Sequence, residues 1–584
     1  MRPRVPSTVV EGLLYALIAF GPFAFGGVEP WSRAAIEVLA LALALACFLK
    51  GRPAGSVAGS YFWLFPAAVA AFGCLQLATP VLPGAPRPLW PFTAAPYETR
   101  KAVMLWGACA AVLWSVPRVV VTPDGARRFM RVLFGVGVAL ACLGLAQRAT
   151  GTDRLYWIRI APKATTFGSY YNCDHAADVL LMALSAGLGL FYARPGRLLA
   201  GGMLLLVLGL ATCAAQAAFL AVPLAGAAMA FLGAGFASSA GGRRLRAGAA
   251  LAGAALTVFF AYYHVVASAD AGALIDRSVM GRLSIYGDAL RWWRDAPLFG
   301  TGLGGFETLY PSYQDLALLG TAQHAHSDWI EFALDAGLFG AGGLLLAAVL
   351  AAWSATRSWH AARSSEMRSL IGGALAAAVL FAAHALFEFS FQIPANAILV
   401  CAVAGFLLSA PSWADKSGER PPETPPSSGA ALLAAGYCLV LARAAVLPAV
   451  AAHHAGLGGE PTARVVALAR ASALDDDPAF VSRLAASAYR AAMQREDYSL
   501  LRLSLRYALA AAERRPFNTD DLYLAGTVLW RLQRAEDGRD LLVQSDKIRF
   551  SRFSARRETA AQRQNRKLSA LRALNLAPPA PVKR

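Results

Sequence analysis

The sequence predicts an all-α, polytopic membrane helical bundle of about thirteen transmembrane helices, with a small helical-repeat soluble domain attached. Three observations carry that expectation. The 584 residues are 57% hydrophobic and 15% charged, with a mean hydropathy of +0.47, whereas a soluble domain runs near ~25% charged. Apolar residues gather into successive runs close to the ~20 needed to cross a bilayer. Beyond residue 460 those runs stop, and an Ala- and Arg-rich pattern of helical period takes over.

In chain order the runs place helices near residues 8–25, 34–49, 61–77, 102–116, 129–147, 176–193, 198–212, 217–236 and 247–267, then 329–353, 370–389, 395–410 and 430–450. Residues 198–236 are one uncharged stretch, divided here at 213–216. Met1-Arg2-Pro3-Arg4 ahead of an apolar run has the form of a signal peptide. Glu11 inside that run, and the series of further runs behind it, predict an uncleaved first helix instead.

Charge sets the orientation. Arg2 and Arg4, Lys50 and Arg52, Arg118 with Arg127, Arg128 and Arg131, Arg194 and Arg197, Arg243, Arg244 and Arg246, and Arg357, Arg363 and Arg368 fall on alternate loops. Short loops rich in Lys and Arg stay in the cytoplasm. The N-terminus is therefore expected inside, and residues 79–100, 148–175 and 268–328 outside. The net charge of +18 fits such loops and does not call for nucleic acid, since no basic-aromatic nucleic-acid motif is present. The eight cysteines contain no Cys-x2-Cys pair and sit almost entirely in apolar runs. They read as small core hydrophobes, not as a zinc site or a disulfide frame.

The four expected regions are N-terminal membrane helices over 1–267, an outward loop over 268–328, C-terminal membrane helices over 329–450 with a Pro-rich cytoplasmic linker at 411–429, and an outward helical region over 451–584. In the last, Pro478-Ala479-Phe480 and Pro516-Phe517-Asn518 each open a helical segment, 38 residues apart. That spacing is close to tetratricopeptide-type hairpins, whose period is about 34. Arg549, Arg552, Arg556, Arg557, Arg563, Arg566 and Lys567 make the end strongly basic. This is either a solvated helix or a surface for anionic glycan or lipid.

The chemistry concentrates between Gly281 and Gly340. Arg282-Leu283-Ser284-Ile285-Tyr286 opens the stretch, Pro297-Leu298-Phe299-Gly300-Thr301-Gly302 follows, and His324-Ala325-His326-Ser327-Asp328-Trp329 closes it ahead of Asp335-Ala336-Gly337-Leu338. An arginine fork suits phosphate, and an imidazole titrating near ~6.5 suits proton transfer. No nucleotide-binding Gly-x4-Gly-Lys pattern and no His/Asp/Glu cluster of metal-ligand spacing is present, so neither a metal nor a cofactor is expected. Asp328, Glu331 and Asp335 fall on the first turns of a helix, where carboxylates favour its dipole. His384 and Glu388 stand four apart on the expected helix 370–389, hence on one face. They either stitch helices together or contact a lipid carrier.

Arg-x3-Tyr, Pro-x2-Gly-x-Gly and His-Ser-Asp-aromatic ahead of an acidic-x-Gly-Leu, in that order, resemble the O-antigen ligase and O-antigen (exopolysaccharide) polymerase superfamily. The stretch from His384 to Asn396 is a second match. The resemblance implies a GT-C-like membrane glycosyltransferase of the bacterial inner membrane. Its donor would be a glycan on polyprenyl (undecaprenyl) pyrophosphate, and its acceptor a sugar hydroxyl of another glycan or of the lipid A core. It implies a catalytic pair, His326 accepting the acceptor's proton and Arg282 gripping the pyrophosphate, without a metal and with inversion. His324 would orient its neighbour or bind sugar. Asn172 and His175, in an aromatic-glycine-Asn segment, would contact sugar or cap the following helix.

The family usually shows Thr-x-Ser-Arg-Gly after its seventh helix. This chain has Thr212-Cys213-Ala214-Ala215-Gln216-Ala217, without the arginine. Lys163, Arg159 or Arg277 would then supply the donor contact. Other outward arginines fit lipid headgroups. Partners would be membrane lipid and, through the C-terminal helices, other polysaccharide-assembly proteins. The helical tail leans the reading toward polymerase. The alternatives are a non-catalytic carrier-lipid-binding component and a transporter.

Overall fold

The computed structural model describes residues 5–53, 61–81, 88–152, 154–161, 165–213, 271–314, 322–362, 364–413, 423–424, 426–457, 459–515 and 518–550. Expected helices 217–236 and 247–267, Lys163, the Ala214–Ala217 part of the departing motif and the basic end beyond 550 lie outside these residues.

Seven helices run in sequence before that gap: α1 (Ser7–Phe23), α2 (Pro30–Lys50), α3 (Leu64–Leu77), α4 (Pro96–Val119), α5 (Pro123–Ala149), α6 (Cys173–Ala193) and α7 (Arg197–Cys213). After it come α8 (Ala271–Asp295), α9 (Asp328–Ala361), α10 (Ser365–His384), α11 (Pro394–Trp413) and α12 (Ser428–Gly456). The remaining helices are α13 (Pro461–Leu474), α14 (Pro478–Arg495), α15 (Tyr498–Arg514), α16 (Thr519–Arg531) and α17 (Ala535–Phe550). Among the described residues seven helices are long and apolar enough to cross a membrane, and four shorter ones are apolar. These eleven correspond one for one to the expected runs outside the gap. The chain is a polytopic helical membrane protein.

Local chemistry fixes the starts. Proline occupies the first position of α2, α4 and α5, where its missing N–H costs nothing. Thr122, Asn172, Ser327, Ser364 and Ser427 cap α5, α6, α9, α10 and α12 with side-chain oxygens.

The main core gathers α1, α2, α4, α5, α6, α7, α10 and α11, with Phe129 of α5 stacked on Phe406 of α11 at 4.9 Å between ring centres. By contrast α12 packs on α2 and leaves Leu432, Leu433, Tyr437, Leu439 and Val440 exposed, as a helix facing acyl chains can.

Loops expected on one side meet one another. At one end of the bundle Arg127 pairs with Glu366 at 2.6 Å, Arg194 reaches the same carboxylate at 3.4 Å, and Arg128 pairs with Glu11 at 3.0 Å. There, too, Arg52–Pro53 pairs as a short antiparallel ladder with Glu423–Thr424 from the Pro-rich linker. At the opposite end Arg159 pairs with Glu29 at 2.8 Å, and Arg100 with Asp475 of the α13–α14 turn at 2.8 Å. Tyr97 donates to the same Asp475, so α13–α17, which pack each on the next, are fastened to the mouth of the bundle.

Two differences from the expectation bear on the site: the stretch 268–328, expected as a loop, contains helix α8 over Ala271–Asp295, and one helix ends early. α10 ends at His384, not at 389. The chain turns over Ala385–Phe389 because Asp328 N–H donates to both the Ala385 and the Glu388 carbonyls, at 3.0 and 3.2 Å. His384 and Glu388 therefore do not share a helical face; the turn sends their side chains to different partners.

Candidate active site

The loop after α8 is built on backbone. Gly302 has φ +115°, open to glycine, and a Cβ there would lie 2.3 Å from Thr93 Oγ1. Gly304 N–H donates to Asp335 Oδ2 at 2.7 Å, and Leu303 N–H to Gln76 Oε1 at 3.1 Å. Thr99 Oγ1 donates to the Leu303 carbonyl at 2.8 Å. Within α9 the backbone breaks at Gly337, φ +62° and ψ −160°. The Pro297 and Leu298 carbonyls take the N–H groups of Leu338 and Phe339 at 2.7 and 3.2 Å. The glycine-rich segment thus serves as a clamp joining α3, α4 and α9.

The three carboxylates at the start of α9 have specific partners beyond the helix dipole. Asp328 Oδ2 accepts from Phe391 N–H at 2.8 Å and ties the α10–α11 turn to α9. Glu331 accepts from Ala325 N–H at 2.8 Å and lies 2.9 Å from His324 Nδ1. Asp335 holds the Gly304 turn. Together they set the path of His324–Ser327.

That path ends at His326, which has φ +49°, a left-handed conformation that costs a non-glycine residue energy and recurs at working sites. Tyr286 of α8 donates to its carbonyl at 2.9 Å. Its Nδ1 lies 3.4 Å from Glu388 Oε2, while the other oxygen of Glu388 pairs with Arg282 of α8. Arg282 and His326, 44 positions apart in the chain, thus converge on one carboxylate from the α10–α11 turn. Glu388 is 1% exposed in its side chain, Arg282 19% and His326 35%, so the imidazole has the open edge. Burial pushes the Glu388 carboxyl up, but the His326 hydrogen bond and the Arg282 charge outweigh it and hold it below its ordinary 4.5.

Phe389 is the floor. His324 stacks on its ring at 4.3 Å between centres, and His175 and His326 meet it edge-on at 4.5 and 5.3 Å. Burial works against a charged His324, yet the Glu331 carboxylate raises its pKa above the ordinary 6.5.

Behind the floor lies a sealed polar network. His384 Nδ1 sits 2.6 Å from Asp178 Oδ1, and Asn396 Nδ2 donates to Asp178 Oδ2 at 3.0 Å. Tyr170 donates to Asn396 Oδ1 at 2.9 Å. These four residues are buried, and they join the 165–172 segment to α6, α10 and α11.

Of the residues singled out from sequence, Arg282, His324 and His326 are brought together. Asn172 caps α6, accepting from Asp174 N–H at 3.0 Å. Arg159 is engaged elsewhere at that end of the bundle, by Glu29 and over the rings of Phe25 and Tyr171. Arg277 lies in α8, five positions before Arg282. Glu388, Asp178, Asn396 and Tyr170 were not named as site residues from sequence. Glu388 carried a signal as an acidic group among apolar residues, and Asn396 and Tyr170 lie in stretches that resemble the family. Among the described residues no group of three or more His, Cys, Asp or Glu side chains is arranged to hold a metal ion.

These features define a polytopic helical membrane protein with a histidine–arginine–carboxylate cluster where its loops gather at one end of the bundle. Residues 201–345 match the family model described as O-antigen ligase, a stretch that holds Arg282, His324 and His326. Over that stretch, about a quarter of its length, the chain is similar to the O-antigen ligase family. No curated protein matches it.

Proposed function

We propose that this chain transfers a glycan from a polyprenyl (undecaprenyl) pyrophosphate carrier to a sugar hydroxyl on the outer face of the bacterial inner membrane. The observation that carries the reading is the single carboxylate of Glu388 between Arg282 and His326. Arg282 meets the donor pyrophosphate, whose charge draws the guanidinium from Glu388. Glu388 then holds His326 Nδ1–H alone and leaves Nε2 to accept the acceptor's proton. As the acceptor oxygen bonds to the sugar's C1, the C1–O bond to phosphate breaks and its electron pair leaves with the lipid pyrophosphate. One displacement inverts C1. Arginine charge suffices for a leaving group already stable as an anion. Lys163, Arg159 or Arg277 would supply a further donor contact, Arg159 only by leaving Glu29; His324, over Phe389, and Asn172 line the sugar path.

The sidedness of the arginine-rich loops supports the outward placement. The fastened helices α13–α17, read as degenerate tetratricopeptide-type hairpins, would engage the acceptor polymer or other assembly proteins, which favours a polymerase over a ligase.

Reconstitution in lipid vesicles with a polyprenyl pyrophosphate-linked oligosaccharide tests this. Chain lengthening would mark a polymerase, and capping of a lipid A core a ligase. Glu388→Gln should lower transfer by roughly 10²-fold, the scale of a lost acid–base contribution, with donor binding kept. The missing arginine after Thr212 favours a second reading, a non-catalytic carrier-lipid-binding component. Unchanged polymer length and yield with His326→Ala would establish it instead.

A further inference from the structure

Away from the site, the structure brings together two thiols 40 positions apart in the chain. Cys173 is the first residue of α6 and Cys213 the last of α7. These neighbours run antiparallel through a short inward turn, so both cysteines stand at the outward end, and both are buried. Cys213 Sγ donates to the Cys173 carbonyl at 3.0 Å, and Cys173 Sγ lies 3.4 Å from Thr165 Oγ1. A thiol 3.0 Å from its partner's carbonyl sets the two cysteines side by side, the proximity a disulfide requires.

A second thiol pair gives the contrast. Cys109 of α4 and Cys401 of α11 lie midway along their helices inside the bundle. There an apolar setting disfavours the thiolate that disulfide exchange requires.

We propose that Cys173 and Cys213 form a structural disulfide at the outward end of the bundle, and that Cys109 and Cys401 stay reduced. The proposal rests on the outward placement given under Proposed function, because only the exterior compartment is oxidising. Two S–H bonds break, one S–S bond forms and two protons leave to solvent. The two electrons pass to a disulfide-bearing oxidant, a thiol–disulfide exchange protein, which is itself reduced to a dithiol. With both sulfurs buried in the folded chain, the exchange takes place before α7 closes on α6. The bridge pins the end of α7, where the chain departs from the family motif, beside Asn172 and Thr165.

The test uses the full chain in membranes, denatured and reacted with a polyethylene-glycol maleimide before and after reduction. Six of the eight cysteines should react before reduction and all eight after. In Cys173→Ser, all seven remaining thiols should react without reduction. Separately, exposed Gln323 is replaced by Cys in a cysteine-free chain and treated with a membrane-impermeant maleimide on intact cells. Eight reactive thiols before reduction, with Gln323→Cys labelled from outside, would overturn the disulfide while leaving the outward placement intact. Labelling of Gln323→Cys only after permeabilisation would overturn the placement, and the disulfide with it.

Discussion

Two histidine–carboxylate pairs flank one turn of this chain, and they are built to different ends. His384 and Asp178 meet at 2.6 Å with neither side chain exposed; Asn396 donates to the second carboxylate oxygen, and Tyr170 donates to Asn396. His326 and Glu388 stand further apart, at 3.4 Å, with the imidazole 35% exposed and the carboxylate shared with Arg282. The first pair is sealed from solvent and braces three helices. The second keeps an open imidazole edge. Access, not residue type, separates the strut from the proposed reactive group.

The sharpest break in that comparison is His326→Ala. Transfer should fall by roughly 10²–10⁴-fold, the range for a lost general base, with the thermal midpoint unchanged. Both are measurable on one vesicle preparation, by product yield and by a melting curve. Asp178→Ala should do the opposite, destabilising the fold by about 3–5 kcal/mol because His384 is left buried without its partner. A melting midpoint equal to that of the parent chain would remove the strut assignment.

Gly302→Ala comes next. The +115° backbone and the contact with Thr93 make the clamp strained, at a cost of roughly 1–3 kcal/mol, and limited proteolysis near 300–305 should accelerate. Asn172→Ala should cost about 1 kcal/mol as a lost cap. A several-fold rise in donor KM with that variant would add a sugar contact to its role.

The smallest effect is in pH. Because Glu331 raises the His324 pKa above 6.5, that pairing stabilises fully below the unfolded value and fades as pH rises through the folded one. Glu388, held below 4.5, contributes above its unfolded value and is lost as pH falls through the folded one. Stability should therefore decline on both flanks. His324→Gln should flatten the alkaline flank alone in a pH series of melting curves.

Much of this was legible in sequence for identifiable reasons. Apolar runs and capping residues such as Thr122, Ser364 and Ser427 act locally, so helix positions could be read in order. Arg282 and His326 stood out through ordered spacing. Glu388 was misread as a helix-face partner of His384, because nothing near it announces that α10 stops; the stop is imposed by the backbone N–H of Asp328, from another helix. Asp178 carries no motif, Asn396 and Tyr170 lie in stretches of family resemblance without a named role, and the pairing of the three exists only once α6, α10 and α11 pack. The glycine-rich segment read as a tight turn at the surface, while its role as a clamp depends on Gln76, Thr99 and Asp335.

By itself the sequence determined that this chain lives in a bilayer, where its helices begin, which loops share a side, and that an arginine and a histidine with the chemistry for pyrophosphate and proton transfer lie in one stretch between membrane helices. Tertiary structure decided which carboxylate joins that arginine to that histidine, which histidine is sealed away, and which cysteines lie side by side. Helix formation and membrane preference are set by neighbours along the chain. Side chains far apart in sequence acquire partners only when their helices are packed.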